Sequence, residues 1–470
     1  MRRLAAAAVL VALIVALGAG FRRPSAPNIL VIVIDTLRAD HVGWVNGDRE
    51  LTPFLDTLAA RAGVFARAYS PSSWTGPAVA SLLTSRYQSQ HGISSVFAVL
   101  AERERTLPEI LRKHGWATGG FSANPLLTAE QGFGQGFDRY DFRPAEGSGM
   151  WMRKERGEDL NEKALAWLDG LPAGSPAFLY LQYMEPHFPY TPPEELKWKT
   201  LGRRGNPWDL LRTLGAMLRD PQRWKKPDPE GLVVMEALYE AEIMALDARL
   251  RELFAALDAR GFLRNAIVVI TSDHGEELGD HGDLGHGKTL YEEVVRIPLL
   301  VLVPGQMLRV DVQDVVSLVD IAPTILDLAG ILRPAQHEGR SLARLVQPPS
   351  LVRRATNAIE WLAGHRGPTT RAAYTELVSD SSGKPIAHHH ATILGSCKVI
   401  GRADGTNESY DLAVDPGEKT TAGLAPAALA EVDTATHELA RRALRDPSPY
   451  YAVTPDANTT ARLRALGYAN

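Results

Sequence analysis

Three runs of aliphatic and β-branched residues, each ending in a polar cluster, punctuate the hydropathy of the chain. Residues 28 to 35 read NILVIVID, residues 177 to 190 AFLYLQYMEPHFPY and residues 266 to 275 AIVVITSDHG. Short, unbroken apolar runs of this kind predict strands buried on both faces. Ahead of the third run, YEAEIMALDARLRELFAALDARGF sets Ile243, Leu246, Leu250, Leu253 and Leu257 on one helical face and stops at Gly261. Strands alternating with amphipathic helices predict an α/β fold whose sheet is covered on both sides. Ligands of such sheets sit beyond the carboxyl ends of the strands, so the pattern delivers Asp35, His187, Asp273 and His274 to one rim.

A further segment, SPSSWTGPAVASLLTSRYQSQHG at residues 70 to 92, turns from small polar residues into a helical pattern. Pro77 suits the first turn of a helix, where a missing N–H breaks no bond. Thr75 therefore stands at a helix N-terminus, where unpaired amides and the positive end of the dipole favour an anion and help an alkoxide form. The same position suits an ordinary N-cap threonine. GDHGDLGHGKTLYEE, residues 279 to 293, is rich in glycine and carries His281, His286 and Lys288. Its backbone can approach a ligand closely, and its basic side chains can neutralise ester oxygens or protonate a leaving group.

Composition narrows the classes. With 470 residues, 45% hydrophobic and 23% charged, the chain has ample length for a large core. A net charge of −4 argues against a nucleic-acid binder, and a lone cysteine, Cys397, excludes an internal disulfide framework. MRRLAAAAVLVALIVALGAGFRRP at the N-terminus joins basic pairs to an apolar stretch and reads as an export signal or a membrane anchor, placing the remainder in the periplasm or outside the cell. Stretches around Gly174, from Arg203 to Pro229 and from Gln347 to Pro368 are rich in Pro, Gly and charge and read as loops or insertions. Trp198, Trp208 and Trp224 fall in or beside the second of these, placed either to pack it or to stack on a sugar.

Asp35, Asp273 and His274 have the composition of a divalent-metal site. Carboxylates supply charge, and the imidazole shifts preference from calcium towards manganese or zinc. A cation beside Thr75 would lower the hydroxyl's pKa and shield an incoming ester. His187, between two prolines, is placed to contact substrate; Arg38 in DTLRADH either braces its loop or binds an oxyanion.

Seven segments in order resemble the sulfatase family of the alkaline-phosphatase-like superfamily: NILVIVIDTLRADHVG, TPFLDTLAARAGVFARAYSPSSW, the Thr75 segment, MEPHFPYTPP, VITSDHGEELGDHGDLGHGKTLYEEVVRIPLLV, VSLVDIAPTILDLAGI and ESYDLAVDPGEKT. The resemblance runs from about residue 27 to 420. It implies a large mixed sheet between helices with a small C-terminal sheet subdomain from about Ala372. It also implies a layout of signal or anchor (1–24), catalytic domain (27–345) and C-terminal subdomain and tail (346–470). The departures are informative. Familiar sulfatases carry C-x-P-x-R or S-x-P-x-R, and this chain has Thr75-Gly76-Pro77-Ala78-Val79, so no formylglycine forms in the motif. The family's paired Asp-Asp is Asp35-Thr36, and its Asp-Asn is Asp273-His274.

Carried over residue by residue, the resemblance implies Thr75 as nucleophile, His187 and His286 as substrate contacts within the catalytic set, and one divalent ion on Asp35, Asp273 and His274. Manganese or zinc is favoured there, with calcium as the alternative. Arg38 and Lys288 are assigned to substrate. The expected activity is hydrolysis of a sulfuric or phosphoric ester on a small molecule, glycan or lipid headgroup. Threonine with Asp and His ligands also resembles the phosphoglycerol and phosphoethanolamine transferases. A catalytically silent domain that binds an anionic glycan or headgroup is the reading from another class.

Overall fold

Strand β1 (Asn28–Ile34) shows why the central runs are apolar on every residue. Ile29, Val31 and Val33 enter one apolar cluster, Leu30, Ile32 and Ile34 a second, and all six are buried. Alternate side chains of a strand point to opposite faces, so a strand covered on both sides has no place for a polar residue until it ends. In the computed structural model, residues 26–47, 50–142, 156–220, 222–346, 371–379, 385–402, 404–421 and 423–452 are described. The signal or anchor expected at 1–24 and the loop expected at 347–368 lie outside them. Among the described residues, no helix is long and apolar enough to cross a membrane.

The large sheet is mixed. Its other strands are β2 (Gly63–Tyr69), β3 (Ala117–Ser122), β4 (Arg139–Phe142), β5 (Ala177–Tyr183) and β6 (Ala266–Ser272). Beyond the short hairpin of β7 (Glu277–Leu278) and β8 (Leu284–Gly285) come β9 (Arg296–Leu302), β10 (Val310–Val312) and β11 (Val316–Ser317). The order across the sheet is β10-β2-β9-β6-β1-β5-β3-β4, with β11 also on β2. β6, β1, β5, β3 and β4 run parallel, whereas β9 is antiparallel to both β2 and β6. A small antiparallel sheet follows, of β12 (Ala372–Ser379), β13 (Pro385–Leu394), β14 (Cys397–Gly401) and β15 (Asn407–Asp411). The α/β architecture and the small C-terminal sheet agree with the sequence reading.

Three local expectations need correction. The helix expected from residue 239 begins earlier, spanning Pro229–Ala259, because Asp228 caps it by accepting from the Gly231 amide at 2.8 Å. The loop expected between Arg203 and Pro229 is largely helical. Leu210, Thr213, Leu214 and Met217 form a buried stripe along helix Pro207–Arg219, started by Pro207 and capped by Asn206. Proline and charge content concealed that stripe. The nucleophile-segment helix is shorter than its pattern suggested, spanning Thr75–Thr84 and closed by Ser85 in the left-handed region (φ 55°).

Because Ile32 is fully buried in the central strand, Ile32→Ala is expected to lower stability by about 2–5 kcal/mol through lost burial and the cavity left behind. Urea unfolding monitored by circular dichroism measures it; a change below about 0.5 kcal/mol would contradict this placement of β1.

Candidate active site

Register brings the rim together. Ile34 is level with Tyr183 of β5 on one side and Ser272 of β6 on the other, so Asp35 and Asp273 leave neighbouring strands at the same height. Asp35, Asp273 and His274 are fully buried, and one donor atom from each lies within 4.8 Å of the others. Asp273 accepts from the Thr36 amide (3.3 Å) and the His274 amide (3.0 Å) through Oδ1, and from Gln182 Nε2 (3.3 Å) through Oδ2. Gln182 is held in turn by the Tyr180 hydroxyl at 2.6 Å. His274 Nδ1 lies 2.8 Å from the Gly275 carbonyl. A carbonyl only accepts, so that network assigns the proton to Nδ1 and the lone pair to Nε2. Burial depresses the imidazole's pKa against the pull of Asp273, which keeps it neutral and available as a ligand.

Thr75 is the first residue of its helix, but it is not the cap. Trp74 occupies the N-cap position, and no side chain caps that end. The Thr75 hydroxyl is instead directed into the cluster, with Oγ1 3.2 Å from His274 Nε2 and 3.4 Å from Asn124 Nδ2. Asn124 also donates through Nδ2 to Asp35 Oδ2, which links the nucleophile candidate to the carboxylates. Sequence reasoning missed Asn124. Its signal is present in FSAN, where β3 ends on the same rim, but the glycine-containing strand ATGGFS is too weakly apolar to stand out.

The expected histidines gather beside this cluster. His187 and His286 have ring centroids 5.1 Å apart, and His286 and His274 4.4 Å apart. Glu276, buried and also missed by the sequence reading, lies 3.0 Å from His286 Nδ1 through Oε1. It directly follows Asp273-His274-Gly275, so its closeness to the site was legible from spacing. The glycine-rich loop reaches the nucleophile loop through its backbone, the Gly287 amide donating to the Ser73 carbonyl at 2.8 Å.

Arg38 and Lys288 are placed differently. All five N–H donors of Arg38 go to Asp40, Asp280 and the Glu276 carbonyl. Burial opposes its charge, yet Asp40 and Asp280 hold its pKa above the ordinary arginine range. Of the two readings for Arg38, this geometry is that of a loop brace. Lys288 donates to Asp283 Oδ1 at 2.8 Å and the Leu284 carbonyl at 3.0 Å, on a side chain 52% exposed. The structure thus assembles Thr75, Asp35, Asp273, His274, His187 and His286, ties Arg38 to Asp40 of its own loop and Asp280 of the glycine-rich loop, and pairs Lys288 with Asp283 of its own loop.

The donor set fits a divalent cation. Two fully buried carboxylates this close repel one another in a poorly polarisable interior, and a cation between them removes that penalty. Thr36 stands where the family carries a second Asp. Its backbone is in the left-handed region (φ 59°), an outlying conformation for a β-branched residue, and its buried hydroxyl makes no hydrogen bond among the described residues.

Comparison with known proteins agrees with this construction. The family model described as Sulfatase matches residues 27–331. The N-acetylglucosamine-6-O-sulfatase of Bacteroides thetaiotaomicron is 24% identical over 470 aligned residues, covering 83% of this chain and 82% of the relative. Arylsulfatase K of Mus musculus is 25% identical over 442, covering 84% and 76%. Among solved structures, a protein in complex with its substrate D-glucosamine-2-N,6-O-disulfate superposes with a TM-score of 0.72 at 20% identity, covering 90% of this chain and 99% of its own. The phosphonate monoester hydrolase of Agrobacterium radiobacter superposes at 0.68 and 20% identity, covering 91% and 100%. The fold is that of the alkaline-phosphatase-like superfamily, and with most of its catalytic body matched, the chain belongs to the sulfatase family of ester-hydrolysing enzymes.

Proposed function

We propose that this enzyme hydrolyses a phosphoric or phosphonic monoester through Thr75, without formylglycine, at a site holding one divalent ion on Asp35, Asp273 and His274. The carrying observation is the Thr75 hydroxyl, a helix's first side chain, aimed at 3.2 Å into a buried cluster of two carboxylates and an imidazole. When bound, the cation would lower the pKa of that hydroxyl and neutralise ester charge. Asn124 orients Oγ1 and presents an amide to the ester oxygens, alongside the unpaired amides of the helix terminus.

In the first step Thr75 attacks as the alkoxide, its proton already given up to solvent water; a bond forms between its Oγ and phosphorus, and the bond to the ester oxygen breaks. With Nδ1 turned to Glu276, His286 hands a proton from Nε2 to the departing oxygen. In the second step water attacks the threonyl phosphoester, Thr75 departs as its alkoxide, and His286 is reprotonated from the attacking water. His187, against the His286 ring, lines the substrate side.

Phosphorus suits a plain hydroxyl. Water can displace threonine from it directly, whereas the aldehyde hydrate of sulfatases serves to expel sulfate by elimination. The structural likeness to phosphonate monoester hydrolases supports this choice. A sulfuric ester on a glycan is the second reading, favoured by the sulfatase relatives. An exported enzyme, held outside the cytoplasm by its N-terminal apolar stretch, would meet either substrate there.

Thr75→Ala is expected to lower kcat by about 1,000-fold or more, while Thr75→Ser keeps it within about tenfold of the wild type. Turnover of p-nitrophenyl phosphate, phenylphosphonate and sulfate esters measures both. Full activity in Thr75→Ala would refute the nucleophile, and turnover confined to sulfate would favour the second reading.

Removing metal with a chelator should abolish turnover. Manganese or zinc should restore it and calcium should restore at most about a tenth, because an imidazole in a small donor set disfavours a large oxygen-seeking ion. Full restoration by calcium alone would overturn the assignment of the metal.

A further inference from the structure

A second group of ligand-type side chains lies on the small C-terminal sheet. The sequence AHHHA places His388 and His390 two apart on β13, so both imidazoles stand on one face. On the adjacent strand Glu376 is the direct cross-strand partner of His390, which puts its carboxylate on that face too. Two histidines at i and i+2 and a cross-strand carboxylate thus converge from two hydrogen-bonded strands, a rigid frame for three ligands.

The details point to a cation. Glu376 is fully buried, and its Oε1 has no hydrogen-bond partner among the described residues. Its Oε2 accepts from the Ser89 hydroxyl and faces His388 Nε2 at 3.4 Å. A buried carboxylate oxygen left unsatisfied carries a desolvation penalty that a cation would remove. The imidazoles of His388 and His390 have centroids 6.0 Å apart. Rings sharing one zinc ion at metal–nitrogen distances of about 2.0–2.1 Å hold their centroids about 5 Å apart, and because the three ligand atoms do not yet lie within 4.8 Å of one another, side-chain rotation brings them onto the ion. The His390 and Tyr374 rings are stacked with an offset, their centroids 6.0 Å apart and their planes inclined by 29°. The His388 side chain is 41% exposed, which gives an ion a path in.

We propose that Glu376, His388 and His390 form a second metal site, separate from the Thr75 cluster and of the zinc, nickel or copper class. One carboxylate with two imidazoles suits these ions and is too poor in oxygen for calcium or magnesium. The fourth position falls to water or to the neighbouring Ser89 hydroxyl. Such an ion braces the nucleophile segment. The Glu376 amide donates to the Pro71 carbonyl at 2.9 Å and the Thr375 hydroxyl to the Ser70 carbonyl at 2.7 Å, just ahead of Thr75. Ser89 lies on the short helix Gln88–His91, just beyond the end of the nucleophile helix.

The test uses the full chain carrying Asp273→Ala and His274→Ala, so that zinc retained there is not held by the Thr75 cluster. Titrated with zinc alone, this protein is expected to bind one equivalent. Adding His388→Gln and His390→Gln should weaken that binding at least tenfold, since even ligand-supporting residues are worth 10–100-fold in affinity. Glu376→Gln should do likewise, with circular dichroism confirming the fold of each variant. In the wild-type chain, zinc should protect His388 and His390 from diethyl pyrocarbonate, read by mass spectrometry. No bound equivalent, binding unchanged by the histidine substitutions, or labelling unaffected by zinc would each overturn the proposal.

Discussion

Asp35 and Asp273 are two fully buried carboxylates at the same level of adjacent strands, and much of the surrounding structure serves to make that arrangement tolerable. Donors converge on them from four elements. The Thr36 and His274 amides and the Gln182 side chain serve Asp273, and Asn124 serves Asp35. Neutral donors reduce the repulsion without cancelling it, which is the physical reason that a cation belongs there. The strained Thr36 backbone fits the same account. Its amide reaches Asp273, while its carbonyl is fixed by the Tyr239 hydroxyl at 2.7 Å, so packing from a distant helix maintains a conformation that a threonine would not adopt alone.

The loop that leads into Thr75, the proposed nucleophile, is restrained from several directions at once. The Ser70 amide donates to the Val295 carbonyl at 2.8 Å, the Ser73 carbonyl accepts from Gly287, and β12 of the C-terminal sheet holds Ser70 and Pro71. A hydroxyl presented at the start of a helix is useful only if its angle to the cluster is maintained, because misplacement of a reacting atom by about 1 Å can reduce a rate about 100-fold. The small sheet is therefore part of the scaffold of the proposed active site.

What was legible in the sequence was the part governed by periodicity. Unbroken apolar runs located β1, β5 and β6, and the polar residues at their ends gave Asp35, His187, Asp273 and His274. What was hidden depended on contacts between distant segments. Asn124 follows a strand whose glycines dilute its apolar signal, and Glu276 acquires meaning only when His286 folds back onto it. Arg38 carried two readings that composition cannot separate, since Asp280 is far away in the sequence. The insertion from Arg203 to Pro229 reads as a loop because its prolines and charges mask the four-residue buried stripe of helix Pro207–Arg219. Of its tryptophans, Trp224 packs against Phe188 with ring centroids 5.4 Å apart, and Trp208 stays 67% exposed with its ring edge-on to Trp198. Packing thus accounts for Trp224, and Trp208 remains the one presented to solvent.

The departures from the sulfatase motif are coherent with one another. Val79, where familiar relatives carry the arginine that steadies formylglycine, is 1% exposed and lies in the same apolar cluster as Trp74, Ala78 and Leu83. A guanidinium there would be desolvated with no acidic partner supplied by that cluster, which an interior tolerates poorly. The helix packs a small apolar residue at the position where familiar sulfatases carry that arginine. Thr75 meanwhile contacts an imidazole and a carboxamide. Under the proposed function, the absence of the cysteine or serine, the absence of the arginine and the pairing of Asp273 with His274 belong together, as parts of a site for a hydroxyl nucleophile beside a nitrogen-containing metal cluster.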